Sequence, residues 1–186
     1  MIRCDAHMHT RFSEDSDSSV HSMLDAAVEK GLETVYITDH LDKDFPKTPD
    51  FPAGAFMFDL DEYFQRLTQL KTEYQKKLEV RIGVEIGLQP HLGEYYNELT
   101  EKYPFDFVIG SVHLIHGQDP YYRGFFEGRS DEEAYHEAFE VTIENLKKIN
   151  SFDSLGHLDY VVRYGTHQAE EYSYRKYAEE IDEILK

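Results

Sequence analysis

EVRIGVEIGL, residues 79–88, reads as a strand buried on both faces. From Ile82 onward its only polar side chain is Glu85. Near-continuous apolar strands belong to parallel sheets covered by helices, so this stretch points to an α/β fold. Outward from it, apolar runs and helical patterns alternate. MIRCDAHMH (1–9) and ETVYITDH (33–40) precede it as strands, and PFDFVIGSVHL (104–114) and SFDSLGHLDYVV (151–162) follow. Helical patterns cover 19–30, 59–78, 91–103, Ser130 to about Ile149, and 173–186. Ser18 or Ser19 caps the first, with Gly31 just past its end, and Asp59 or Asp61 caps the second. Ser130 and Glu133 have capping-box spacing. The order βαβαβαβαβα predicts a parallel sheet, either doubly wound or closed into a barrel. Two long loops, 42–54 and 115–129, follow the second and fourth strands and are long enough to be functional.

The chain has 186 residues, within the usual size of one domain, and its 40% hydrophobic and 14% aromatic content suit a packed core. A net charge of −18 opposes binding to nucleic acid or an anionic membrane. No apolar run has the length of a membrane span, and MIRCDAH has no signal-peptide character. A single cysteine, Cys4, excludes an internal disulfide and suits a reducing, cytoplasmic setting. Oligomeric state is not readable from these features.

Each strand ends in polar residues: Asp5-x-His7-x-His9, Thr38-Asp39-His40, Glu85, Gly110-Ser111-Val112-His113 and Gly156-His157-Leu158-Asp159. Alternate residues of a strand share a face, so Asp5, His7 and His9 project together. In α/β barrels the C-terminal strand ends carry the active site. Gathering so many ionisable groups on one rim is costly unless they pair or bind metal. Histidines with carboxylates suit Zn, Fe or Mn, and the lack of a cysteine cluster argues against a structural zinc knuckle. The signatures of cysteine, aspartyl-phosphate and serine-triad hydrolysis find little support. Arg11 lies one residue too far from Cys4 for C-x5-R, Asp15-Ser-Asp17 does not follow an apolar strand, and no G-x-S-x-G is present.

Taken in order, these motifs resemble the PHP (polymerase and histidinol phosphatase) metal-dependent phosphoesterases. Phe12-Ser13-x-Asp15-Ser16, G-S-V-H and G-H-L-D-x-x-x-R-Y are most similar to the monofunctional histidinol-phosphate phosphatases. The resemblance implies a distorted (β/α)7 TIM-like barrel, here incomplete at about five βα units, with two to three divalent metals. His7 and His9 would bind the first metal, Glu85 would bridge to the second, and His113 and His157 would complete it. His40 would bind a third metal with Asp15 as partner. Arg163 would grip the substrate phosphate, Arg123 would add a second clamp, and Asp39 and Asp159 would orient histidines. A hydroxide held between the metals on Glu85 would attack phosphorus, releasing L-histidinol from L-histidinol phosphate in histidine biosynthesis. Glu85, His113 and Arg163 are the catalytic candidates. The family's later S-D-A-H strand end is absent after His157, so residues 1–186 are expected to form the N-terminal portion of a single PHP domain. The open alternatives are a PHP phosphoesterase with another substrate (a phosphodiester, nucleotide or phosphotyrosine) and a metal-binding domain without turnover. His21 and His136 read as solvated helix residues. His91, His116 and His167 lie near strand-end loops, and Tyr121–Phe126 reads as a possible lid.

Overall fold

The computed structural model describes residues 2–186; Met1, where the first strand was expected to start, lies outside them. Six strands form a parallel sheet: β1 (Cys4–Met8), β2 (Thr34–Ile37), β3 (His40–Leu41), β4 (Glu79–Gly87), β5 (Phe107–Ser111) and β6 (Ser154–Leu155). Their order is β1-β2-β4-β5-β6, with β3 also paired to β4. The helices are α1 (Val20–Glu29), α2 (Leu60–Tyr74), α3 (Gly93–Lys102), α4 (Asp131–Lys148), α5 (Gln168–Glu171) and α6 (Ala178–Ile184). Among the described residues, no helix is long and apolar enough to cross a membrane.

The expected caps are in place. Ser19 accepts from Ser22 N, Asp59 from Glu62 N, and Ser130 and Glu133 close a reciprocal box. Gly31 follows α1 at φ 74°, a left-handed turn that glycine adopts without a Cβ clash. Three apolar clusters cover the sheet: α1 and α2 over β1, β2 and β4; α3 over β4 and β5; α4 and α6 beyond them. Full burial of a side chain such as Leu24, Leu67 or Leu70 contributes roughly 1.5–3 kcal/mol. Tyr63 of α2 reaches through to the sheet, its hydroxyl 3.1 Å from Ile37 O and 3.0 Å from Gly83 O.

Two expected strands are corrected. The strand at 33–40 is interrupted at Thr38 and Asp39, yet its register on β4 is kept, Ile37 facing Ile82 and His40 facing Glu85. At the interruption Thr38 N still bonds to Met8 O and Glu85 N to Asp39 O, while the Asp39 carboxylate accepts from Thr10 N, Thr10 Oγ1 and Ser13 Oγ. The strand at 151–162 shrinks to two residues. Past Gly156, whose N–H still bonds to Gly110 O, the chain coils into turns closed by Val162 N–Asp159 O and Arg163 N–Tyr160 O. Val161 and Val162, which read as strand, instead pack against the α4 cluster. The last helix also begins later than expected, after the turns at 173–177.

Candidate metal centre

Parallel pairing sets His40 beside Glu85 on one side, and β5 flanks β4 on the other. The C-terminal ends of the strands thereby bring five imidazoles around one fully buried carboxylate. Glu85 Oε2 lies 3.0 Å from His9 Nε2, 3.3 Å from His40 Nδ1 and 3.6 Å from His7 Nε2. Glu85 Oε1 lies 3.1 Å from His157 Nε2 and 3.2 Å from His113 Nε2. Asp15 Oδ2 sits 3.1 Å from His9 Nδ1 and 3.5 Å from His40 Nε2. The structure brings together His7–His9–Glu85 and Glu85–His113–His157 as expected, and it sets Asp15 with His40 but adds His9 to that pair. A further grouping, His40–Asp42–His113, includes an aspartate that the sequence reading passed over.

Whether these residues suit a metal is decided by their unsatisfied atoms. His9 Nε2, His40 Nδ1 and Glu85 Oε2 are buried without a hydrogen-bond partner, although they approach one another at 3.0–3.3 Å. Close polar atoms that are not aligned on each other are left pointing into shared space. A cation there would satisfy all of them, whereas leaving them empty-handed in the interior is costly. The opposite ring nitrogens are held from behind. His7 Nδ1 is 2.8 Å from Thr38 Oγ1, and His113 Nδ1 is 2.8 Å from Asp42 Oδ2. This turns each Nε2 toward Glu85, the arrangement that outer hydrogen bonds impose on metal-binding histidines.

The electrostatics follow from the same contacts. Burial alone would raise Glu85, but the surrounding imidazoles, His113 foremost, hold it well below the usual carboxylate range. Burial would lower His9 and His40, yet the carboxylates win, Asp15 and Glu85 pushing His9 up to about 9 and Asp15, Asp42 and Glu85 pushing His40 up to about 10. Burial opposes charge on His113 too, but Asp42 and Glu85 raise it well above its ordinary value. For His7, burial prevails, helped by the neighbouring imidazoles, and its pKa falls.

The centre forms the floor of a cavity of about 450 Å³. Arg163 and aromatic rings, among them Phe45, Phe56, Tyr121, Tyr160 and Tyr164, line its walls. The Arg163 guanidinium lies 5.9 Å from the centre of the Tyr160 ring. Arg123 does not line this cavity: its Nη1 donates to Tyr164 O at 3.3 Å, bracing the turn next to Arg163. Asp39 and Asp159 differ from expectation as well. Asp39 bonds to Thr10 and Ser13 rather than to an imidazole, while Ser13 Oγ accepts from His40 N. Asp159 is exposed and, among the described residues, its side chain bonds to no histidine. Thr38 and Asp42 fill the orienting role instead. His91, His116 and His167 lie outside the cavity beside Asp44, Glu137 and Asp131, and His21 and His136 pair with Arg66 and Glu180. The expected lid is split, since Tyr121 and Tyr122 face the cavity but Phe125 is buried against α4.

The PHP domain matches residues 5–186 of the chain. A "probable histidinol-phosphatase" of Clostridium acetobutylicum is 34% identical over 98% of this chain and 67% of its own length. The histidinol-phosphatase of Lactococcus lactis is 34% identical over the full chain, again covering 67% of that protein. The crystal structure of the Lactococcus lactis histidinol phosphate phosphatase, complexed with zinc, L-histidinol and phosphate, superposes with a TM-score of 0.90 at 33% identity, covering 98% of this chain and 68% of that one. The chain thus spans about two thirds of the length of these relatives. By its motifs, its sheet and its match across residues 5–186, the chain belongs to the PHP domain family.

Proposed function

We infer that this chain is a metal-dependent phosphatase that hydrolyses L-histidinol phosphate to L-histidinol and phosphate. The observation that carries the reading is the convergence of five imidazoles on buried Glu85 at the floor of a cavity that also holds Arg163. Its support is the named activity of relatives 34% identical along nearly the whole chain, and the ligands of the Lactococcus lactis structure. That structure favours zinc among the metals the donors admit. His7, His9 and Glu85 would hold one ion and Glu85, His113 and His157 a second; His40 and Asp15 would hold a third.

Bound metals supply a Lewis acid for the phosphoryl oxygens and lower the pKa of water to give a nucleophile near neutral pH. The protein's own groups do the positioning. Thr38 and Asp42 hold the His7 and His113 rings so that each Nε2 faces Glu85. Arg163 would offer a planar guanidinium fork to the phosphoryl group, with the Tyr160 ring beside it. Aromatic walls exclude water and present flat faces to the histidinol imidazole. The cavity suits a small ester, and the charge of −18 opposes polymeric nucleic acid, so the reading is of a cytosolic enzyme of histidine biosynthesis that engages neither nucleic acid nor membrane.

The test is phosphate release by the zinc-loaded chain from L-histidinol phosphate, p-nitrophenyl phosphate and a 5′-phosphorylated oligonucleotide. Histidinol phosphate should be strongly preferred, and chelation should abolish its hydrolysis. Equal or absent release across the panel would sink the reading.

A further inference from the structure

The cavity is lined by three carboxylates, and two are committed to the imidazoles. Asp15 Oδ2 contacts His9 and His40, and Asp42 Oδ2 contacts His113. The third, Asp119, stands in the loop after β5 and touches no histidine and no ion-pair partner among the described residues. Its Oδ1 is fixed by two donors, Tyr121 N and the Tyr160 hydroxyl, each at 2.9 Å. Among the described residues, no donor reaches Oδ2. Burial raises the Asp119 pKa against these two hydrogen bonds and the longer-range attraction of His113. Tyr160 carries this carboxylate toward the metal centre, its ring 5.4 Å from those of both His113 and His157.

The proposed substrate bears opposite charges at its two ends. Its phosphate faces the histidines and Arg163, while the ammonium on the carbon beside the ester methylene needs an anion that the metals do not claim. Resting on the substrate reading above, we propose that Asp119, oriented by Tyr160, is the specificity residue that binds the substrate's ammonium group. Tyr121 and Tyr164, with rings 5.6 Å apart, flank the same part of the cavity and favour a cation through their faces. The site would thus select phosphate esters of 2-amino alcohols over simple alkyl or aryl phosphates.

The experiment compares kcat/KM for L-histidinol phosphate and its des-amino analogue, 3-(imidazol-4-yl)propyl phosphate, in wild type, Asp119→Asn and Tyr160→Phe, with zinc content measured for each. A charged hydrogen bond of this kind predicts that Asp119→Asn loses about 10- to 100-fold on the amino ester, mainly in KM. The preference for the amino ester should collapse, and Tyr160→Phe should lose less in the same direction. An equal loss on both esters, or an undiminished preference, would overturn the assignment. Phosphoethanolamine against ethyl phosphate repeats the comparison without the imidazole. An Asp119-dependent preference there, without turnover of histidinol phosphate, would overturn the proposed substrate while upholding Asp119. Failure to hydrolyse any ammonium-bearing ester would overturn both.

Discussion

Gly87, at the end of β4, leaves room for the Asp42 carboxylate, so Gly87→Ala should disarm the metal centre without touching a ligand. A Cβ at position 87 would stand 2.6 Å from Asp42 Oδ1 and 2.7 Å from its carboxyl carbon, where ordinary contact begins at 3.4 Å. The carboxylate must therefore withdraw by about 0.8 Å, which can lengthen the 2.8 Å bond to His113 Nδ1 to as much as ~3.6 Å, past hydrogen-bonding range. His113 then loses the partner that fixes its tautomer and aims Nε2 at Glu85. Loss of such an outer partner typically weakens metal binding ~10- to 100-fold, or about 1.4–2.8 kcal/mol. The assay is zinc affinity by chelator competition for wild type, Gly87→Ala, Asp42→Asn and the double variant, with circular dichroism confirming the fold. Both single variants should weaken zinc binding, and the double should be little worse than either, because both break one interaction. Alanine in place of a strand glycine ordinarily favours the fold, so the expected loss runs against the backbone effect. Wild-type zinc affinity in Gly87→Ala, or fully additive losses in the double variant, would refute the reasoning.

Metal binding should also expel protons. With His9 at about 9 and His40 at about 10 in the metal-free protein, both rings are protonated at pH 7.5 and must deprotonate to serve as ligands. Calorimetric titration with zinc in buffers of different ionisation enthalpy should report about two or more protons released per chain; none would contradict the charge pattern. The same raised values stabilise the metal-free fold below the ordinary histidine pKa, and that contribution should be lost as pH climbs through 9 to 10. Tyr63→Phe removes the hydroxyl that ties α2 to the Ile37 and Gly83 carbonyls. It should lower unfolding stability by about 1–3 kcal/mol in urea titration, and an unchanged midpoint would show those contacts to be idle.

The candidate metal ligands were legible because strand ends are local features. His7 and His9 alternate within one strand, and Glu85 interrupts an otherwise apolar run, so short-range patterning exposes them. Asp42 carried the same signal: it alternates with His40 and so shares its face, but reading 42–54 wholly as loop hid it. Asp39 shows the reverse error. It lies next to a ligand in sequence but points to the other side, where the Thr10 and Ser13 donors, 29 and 26 residues earlier, claim it. Nothing local announces such a partner. The cavity walls were the least readable part, because they assemble from the 42–54 and 115–129 loops and the 157–164 turns, whose juxtaposition depends on the whole sheet. The shortened β6 has a related cause: Val161 and Val162 satisfy an apolar pattern equally well in a strand or beneath a helix.

An acidic chain that acts on an anionic ester has to solve its electrostatics locally, and the centre indicates how. Glu85, Asp15 and Asp42 are all held below their ordinary pKa, while His9, His40 and His113 are all raised. The metal-free cluster is therefore close to neutral despite a net charge of −18 on the chain. Each divalent ion that replaces protons there adds positive charge at the cavity floor, where low-dielectric walls keep it from being screened. Arg163 adds a further cation on the wall. Attraction for phosphate is thereby confined to the loaded cavity, while the acidic exterior discourages nucleic acid. Asp119, hydrogen-bonded to no imidazole, would on the proposal above leave one negative point in that wall for the cationic end of an amino-alcohol phosphate.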